Sequence, residues 1–269
     1  FARREGIERI VVASTGNAGS SMCGVGAAAG LSVRLYLPAG APAGKLVQSL
    51  QYGADVVRVD GTYDEASARA MEYLRTHGGL SRNTGHNPMT IEGKKTVALE
   101  IFRQLGSGVP DYVFVPTGDG VILSGVYKGF EDLVSLGIAD RIPTVVAVQA
   151  EGSRAITRAL ESGGFTDPVS SATLADSISV DVPAAGFFAV DRLRRHGGCA
   201  VTVSDEAILS AQTELASGSG LFAEPAAAAA WAGFRAMEAE IPRDAAVVVL
   251  VTGNGLKDVE SAKKGVGIR

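Results

Sequence analysis

The sequence predicts an α/β fold with two open, mostly parallel twisted sheets that carry helices on both faces. Apolar runs of strand length alternate with helical patterns along the whole chain. Short apolar runs that alternate with helices are typical of βαβ units, whose parallel strands are buried on both faces. Glycine is abundant, with 34 residues among 269, and aromatic residues make up only 6%. This composition favours many tight turns between strands and helices.

The individual elements follow from the periodicity of the apolar residues. The predicted strands are 9–14, 32–37, 55–59, 111–115, 143–149, 200–203 and 246–252. The predicted helices lie near 17–30, 42–53, 62–77, 91–106, 121–137, 151–163, 185–196, 204–218 and 223–240. Ser204 opens one helix as an N-cap, and Pro225 opens another at the first helical position. Residues 164–183 lack a clear period and are expected to form a loop.

A glycine-rich stretch from Gly106 to Pro110 is the expected domain boundary. It divides the chain into a smaller α/β domain, 1–108, and a larger cofactor-binding α/β domain, 109–269. Residues 1–6 resemble the last turn of a helix that ends in a glycine cap, and residues 265–269 add no closing element. We therefore expect a fragment of a longer protein, with the smaller domain truncated at its N-terminus.

Composition excludes several classes of protein. A formal net charge of −4 lacks the basic character that nucleic-acid binding needs. No apolar run reaches membrane-spanning length and no signal peptide is visible, so we expect a cytoplasmic protein without nucleic-acid or membrane partners. Cys23 and Cys199 are too few for a disulfide framework, and the three histidines have no metal-ligand spacing.

Three predicted strands end in Thr-Gly followed by Asn or Asp, and each such turn precedes a helical pattern. We call 14–17 the first turn, 117–122 the second turn and 252–255 the third turn. In an open α/β sheet, ligands bind at the edge where strand ends and helix N-termini converge. Glycine lets the backbone approach a ligand closely, and threonine and asparagine add donors and acceptors. The three turns therefore predict one composite ligand site.

Taken together, these strings resemble threonine synthase and its fold-type-II pyridoxal-phosphate relatives. The matching strings follow the family's order and cover nearly the whole chain: Ser14-Thr15-Gly16-Asn17, Gly40 to Ala54, Asn87-Pro88 with Ile91 to Thr96, Gly118 to Ile122, Glu224-Pro225-Ala226, and Thr252 to Asp258. The last string is the most specific to this branch of the family. The resemblance implies pyridoxal 5'-phosphate as the cofactor, a small amino acid as the substrate, and a homodimer.

The resemblance also assigns roles to residues of the three turns. Asn17 would donate to the phenolic oxygen of the cofactor, and Thr252 would face its pyridine nitrogen. A hydroxyl there leaves that nitrogen neutral, which suits elimination and replacement. The residues expected to hold the cofactor phosphate through backbone amides at a helix N-terminus are Gly118, Asp119, Gly120, Val121 and Ile122. The N–H groups of the 14–17 loop would bind the substrate carboxylate, and the residues expected to bind the substrate are Ser14, Thr15, Gly16 and Asn87.

Two positions depart from the family pattern. Many relatives have asparagine at the position of Asp119, and an anion beside a phosphate is unfavourable unless its side chain points away. A role for Asp119 as a turn former that caps its own loop is at least as well supported as direct ligand contact. Thr90 occupies a position where threonine synthases usually place an arginine that binds a substrate phosphate with two hydrogen bonds. Either another cation binds that phosphate, or the substrate lacks one.

The function expected from the resemblance is that of a lyase of amino-acid metabolism that eliminates or replaces a group at the β or γ carbon. Two alternatives stay open: a serine or threonine dehydratase or ammonia-lyase, which Thr90 favours, and a catalytically incompetent fragment that only binds cofactor. A nicotinamide-dependent dehydrogenase is disfavoured, because the strand that ends at Leu37 carries no carboxylate for the ribose. The family's Schiff-base lysine precedes the first turn, so we expect it upstream of Phe1.

Overall fold

A computed structural model describes residues 1–41, 43–85 and 87–267 and confirms the predicted α/β class. The described residues contain two four-stranded sheets in which every paired strand is parallel. The chain divides into two compact units, Phe1–Pro88 and Met89–Arg269. No helix in the described ranges is both long and apolar enough to cross a membrane.

The first unit contains a sheet with strand order β3-β2-β1-β4. Its elements are β1 (Arg9–Ala13), α1 (Asn17–Ala28), β2 (Ser32–Pro38), α2 (Ala43–Gln51), β3 (Asp55–Val59), α3 (Tyr63–His77) and β4 (Leu80–Ser81). Alternate residues of β1 belong to different apolar clusters: Ile10 and Val12 to one, Val11 and Ala13 to the other. Both faces of this sheet are therefore covered, as a parallel sheet requires.

The second unit contains a sheet with strand order β7-β6-β5-β8. Its elements are α4 (Met89–Lys94), α5 (Thr96–Gln104), β5 (Tyr112–Pro116), α6 (Val121–Ser135), β6 (Thr144–Ala150), α7 (Ala155–Glu161), α8 (Gly186–Arg195), β7 (Cys199–Val203), α9 (Asp205–Ser219), α10 (Pro225–Met237), β8 (Val247–Val249) and α11 (Val259–Gly265). Phe114 packs in one cluster, whereas Val113 and Val115 pack in the other, so this sheet is also buried on both faces.

The structure divides the chain at Pro88 rather than near residue 108. Helices α4 and α5, which the sequence assigned to the smaller domain, pack instead against α6. A Cβ added to Gly125 would lie 2.6 Å from Lys94 Cβ, and one added to Gly129 would lie 2.6 Å from Ala98 Cβ and from Lys95 O. Only glycine allows helices to approach this closely, and this contact holds 89–104 within the second unit.

Three local features differ from the predicted elements. The predicted helix 91–106 consists of α4 and α5, and the Thr96 hydroxyl donates to the Gly93 carbonyl where they meet (2.9 Å). Such a side-chain bond competes with the helical ladder. Strand β8 covers only Val247–Val249 of the predicted 246–252, β4 was not predicted, and α11 was predicted only as a helical pattern after the third turn, without bounds. The predicted loop 164–183 contains only a single 3-10 turn, Asp176–Ile178.

Candidate active site

The first turn connects β1 to α1, at the centre of the first sheet. The Ser14 amide donates to the Tyr36 carbonyl (3.1 Å), which extends the pairing of β1 with β2. The Ser14 hydroxyl accepts hydrogen bonds from the amides of Gly16 (3.3 Å) and Gly19 (3.1 Å). Ser14 therefore caps the start of α1, and two of the amides in 14–17 are committed inside the protein.

The end of β1 is held by residues that the sequence did not single out. Asn83 is 3% exposed, and its Oδ1 accepts from the Ala13 amide at 2.7 Å. The Tyr63 hydroxyl donates to the Ala13 carbonyl (3.2 Å). Asn87, predicted to contact substrate, donates through Nδ2 to the Ser81 carbonyl (2.7 Å). Part of its amide therefore has a structural role. Asn83 follows a two-residue strand, which is too short to produce a periodic signal.

The second turn connects β5 to α6 and is fixed on both sides. Thr117, which is 2% exposed, donates through its amide to Val148 O (2.8 Å) and accepts at its carbonyl from Gln149 Nε2 (3.1 Å). The Ala185 amide donates to the Asp119 carbonyl (2.8 Å). Gly120 has φ +84°, a left-handed conformation that favours glycine, and it immediately precedes α6.

The amides of the second turn fit a phosphate group. The Val121 amide donates to Asp119 Oδ1 (3.0 Å), so Asp119 does cap its own turn. Within the described residues, the amides of Gly118, Asp119, Gly120 and Ile122 have no protein acceptor. Donors left over at the start of a 15-residue helix, next to glycines that allow close approach, form an anion site without a cationic side chain.

The third turn packs against the start of α10. The Glu224 amide donates to the Gly253 carbonyl (3.0 Å), and a Cβ added to Gly253 would lie 2.2 Å from Glu224 Oε1. Thr252 is exposed, and the Asn254 side chain accepts from the Leu256 amide (2.9 Å). The sequence shows the Glu-Pro helix start but not this contact, which joins segments that are separated along the chain. Asn17 and Thr252 belong to different units, and their contact with one ring stays a prediction.

Two lysines of the second unit lie in a ring of alternating charges, formed by Glu92, Lys95, Lys128 and Asp132. Lys95 Nζ lies 2.6 Å from Glu92 Oε2 and 2.8 Å from Asp132 Oδ2, and Lys128 Nζ contacts both carboxylates as well. Hydrogen bonds to Asp132 and Glu92 raise the pKa of Lys95, and the one to Asp132 raises the pKa of Lys128. Both amines are therefore charged at neutral pH and unsuited to act as nucleophiles.

Comparison with known proteins agrees with these features. The model of the pyridoxal-phosphate dependent enzyme family matches residues 1–253. The chain belongs to this family. The cofactor of this family is pyridoxal phosphate, and the turn 118–122 of this chain offers amides that fit the phosphate of that cofactor.

Similar proteins include threonine synthases. The chain is 38% identical to that of Methanosarcina acetivorans over 261 residues, which is 95% of this chain. It is 36% identical to that of Methanocaldococcus jannaschii over 269 residues, or 97% of this chain. The chain spans 64% and 65% of the length of these two relatives.

Solved structures confirm the fold. The processed form of threonine deaminase isoform 2 from Solanum lycopersicum superposes with a TM-score of 0.85 at 24% identity, over 99% of this chain and 75% of that one. Maize serine racemase gives 0.82 at 19% identity, over 99% and 79%. At such low identity these two likenesses show only a shared fold.

Proposed function

We propose that the protein is a pyridoxal-phosphate-dependent lyase of amino-acid metabolism, similar to threonine synthase, that eliminates or replaces a group at the β or γ carbon of an amino acid. The observation that carries this proposal is the family match over residues 1–253, supported by threonine synthases at 36% and 38% identity. We place the protein in amino-acid biosynthesis, in the cytoplasm, as a homodimer.

In this proposal the cofactor is bound mainly through backbone groups. The amides of 118–122 hold the phosphate, Asn17 donates to the phenolic oxygen, and the Thr252 hydroxyl faces the pyridine nitrogen. When bound, pyridoxal phosphate supplies the electron sink that makes the α-proton of an amino acid labile. The open amides at the start of α6 support the first of these assignments, since a helix N-terminus favours an anion.

The substrate carboxylate is assigned to the first turn, where Ser14, Thr15, Gly16 and Asn87 are the expected contacts. Since the Ser14 hydroxyl already binds the Gly16 amide, the turn is held rigid before substrate arrives. Such preorganisation lowers the entropic cost of binding. We propose that Ser14 shapes the turn and that Thr15 donates directly to the substrate carboxylate.

The lysine that carries the cofactor is assigned to the segment before the first turn, upstream of Phe1. The charge ring supports this assignment, because Lys95 and Lys128 are each paired with two carboxylates. Borohydride reduction of the full-length holoenzyme followed by peptide mapping would test it. We expect no label on Lys95 or Lys128, and specific labelling of either would overturn the assignment.

A second candidate function is that of an ammonia-lyase or dehydratase acting on unphosphorylated threonine or serine. Thr90 favours it, because a threonine hydroxyl cannot replace the two parallel hydrogen bonds of an arginine to phosphate. Thr90 is the second residue of α4. For the wild-type full-length enzyme we expect a lower kcat/KM with O-phosphohomoserine than with threonine or serine.

The Thr90→Arg variant is the direct test of this choice. It should raise kcat/KM for O-phosphohomoserine by about tenfold or more, since a charge-assisted hydrogen bond contributes about 1.5–3 kcal/mol. Thr96→Arg adds the same charge at an exposed position of α5 and should have little effect. A wild-type enzyme that prefers the phosphorylated substrate would instead establish the threonine synthase reaction.

A further inference from the structure

We infer that Ser153 is a positioning residue for the second turn, acting through the segment 178–185, which we call the covering segment. This inference rests on the proposed function and deepens it, because it concerns how the phosphate-binding amides are held. Nothing in the sequence distinguishes Ser153, which lies inside a predicted helix, 151–163. In the structure it lies between the end of β6 and the start of α7.

The covering segment lies directly against the second turn. The Ala185 amide donates to Asp119 O (2.8 Å). A Cβ added to Gly118 would lie 2.9 Å from Ile178 Cα, and one added to Gly120 would lie 3.2 Å from Ala185 O. At both glycines the covering segment therefore fills the side of the backbone that a side chain would occupy, and its position limits where the turn can lie.

Ser153 fastens the covering segment to the sheet. Ser153 is 4% exposed. Its hydroxyl accepts a hydrogen bond from the Val180 amide (2.9 Å) and donates one to the Ile178 carbonyl (3.1 Å). Its own amide donates to Ala150 O (2.9 Å), so it is held at the end of β6. One hydroxyl thus binds two residues of a segment that is otherwise mostly irregular.

Ser153 affects cofactor binding through the covering segment and the second turn, not by contact with the cofactor. Removing the hydroxyl leaves the Val180 amide and the Ile178 carbonyl without this partner. A buried polar group that loses its partner destabilises the local arrangement, and such a segment opens more often. Because the segment touches Gly118, Asp119 and Gly120, its opening releases the second turn from its present geometry.

The test uses the full-length protein with Ser153→Ala, Ser153→Thr and Ser204→Ala. Ser204 caps α9 through a bond to the Ala207 amide (3.2 Å), so Ser204→Ala removes a serine hydroxyl of the same unit that bonds to α9 rather than to the covering segment. We would measure the dissociation constant of pyridoxal phosphate, the ³¹P NMR shift of the bound phosphate, and hydrogen exchange of the Val180 and Ala185 amides without cofactor.

Ser153→Ala should raise the dissociation constant about tenfold, shift the ³¹P resonance and speed exchange at Val180 and Ala185 by a similar factor. Ser153→Thr, which keeps the hydroxyl, should restore most of the affinity, and Ser204→Ala should change the dissociation constant less than twofold. Unchanged ³¹P shift and affinity in Ser153→Ala, or equal losses in Ser204→Ala, would overturn the inference.

Failure of the proposed function has a different signature. A wild-type protein that binds no pyridoxal phosphate contradicts that function, whereas amide exchange still reports on the covering segment. Exchange at Val180 and Ala185 that is as slow in Ser153→Ala as in the wild type would then overturn the positioning role as well. Faster exchange would uphold only the part of the inference in which Ser153 holds the covering segment in place.

Discussion

The first and second turns occupy equivalent places, each after a central parallel strand and before a helix, yet they satisfy their backbone differently. In the first turn, the Ser14 hydroxyl takes the amides of Gly16 and Gly19. In the second turn, the Thr117 amide continues the strand pairing and the Val121 amide donates to the Asp119 carboxylate, but within the described residues the amides of Gly118, Asp119, Gly120 and Ile122 have no protein acceptor. The same strand–turn–helix pattern therefore pairs backbone amides with a serine side chain in one unit and leaves backbone donors open in the other.

The glycines of the two turns differ in the same sense. A Cβ added to Gly16 would meet no atom within 4 Å, and its φ of −109° is accessible to any residue. At Gly118 and Gly120 an added Cβ would lie 2.9 Å from Ile178 Cα and 3.2 Å from Ala185 O, so a methyl group at either position would force the covering segment to shift. The turn with open backbone amides is packed closely against another segment at its glycines, whereas the turn whose amides are bound by Ser14 leaves open space at Gly16.

Gly120→Ala should show the largest effect. The variant would place a Cβ 3.0 Å from the Ala189 Cβ in a backbone with φ +84°. Left-handed strain of about 1 kcal/mol adds to the steric conflict, so we expect a loss of about 2–3 kcal/mol in unfolding free energy. Because the turn must shift, affinity for pyridoxal phosphate should fall by roughly two orders of magnitude, at about 1.4 kcal/mol per tenfold.

Two glycine variants serve as controls for that prediction. Gly137 has φ +69° but no atom within 4 Å of an added Cβ, so Gly137→Ala isolates the backbone strain. It should cost about 1 kcal/mol of stability without changing cofactor affinity. Gly16→Ala should leave the unfolding free energy nearly unchanged. Urea denaturation and fluorescence titration measure both quantities, and equal affinity losses at Gly120 and Gly137 would contradict the role of close approach.

Ser14→Ala tests the other half of the comparison. The variant removes the cap of α1, which should lower the unfolding free energy by about 1 kcal/mol. Since the proposed ligands of this turn are the substrate carboxylate and, through Asn17, the phenolic oxygen of the cofactor, KM should rise about fivefold, with a smaller loss of cofactor affinity. Ser32→Ala, which loses an exposed bond to Glu8 O (3.1 Å) at the start of β2, should leave KM unaltered. Loss of cofactor affinity with constant KM would reverse the assignment of the two turns.

Sequence periodicity predicted the elements whose apolar pattern is long enough to repeat. β5 and β6 are examples, because residues on both faces are buried and β-branched. β4 has only two residues and produces no pattern, and α11 is short and polar, so the sequence did not define its bounds. Where α4 meets α5, both helices pack closely against Gly125 and Gly129 of α6, and this contact is not visible in the sequence of 91–106 alone.

The site was predictable where a single segment supplies it. The turn 118–122 shows its glycines and its following helix in the sequence itself. Three contacts join segments that are distant in sequence: Gly253 with Glu224, Asn83 with Ala13, and Ser153 with Val180. Each depends on tertiary placement of a common polar residue, for which no local pattern exists.

Asp119→Asn should have the smallest effect and sharpens the comparison most. The asparagine oxygen can still accept from the Val121 amide, which Asp119 Oδ1 does at 3.0 Å, so the turn should keep its shape. The variant removes one negative charge close to the site assigned to a phosphate dianion. Partial solvent exposure and screening limit the gain, and we expect cofactor affinity to rise only about threefold, with the difference shrinking as ionic strength increases. Asp119→Ala loses both the charge and the cap and should therefore bind less tightly than Asp119→Asn. Weaker binding by Asp119→Asn than by the wild type would show that the carboxylate itself is required, and that the second turn functions through a side chain as well as through its backbone.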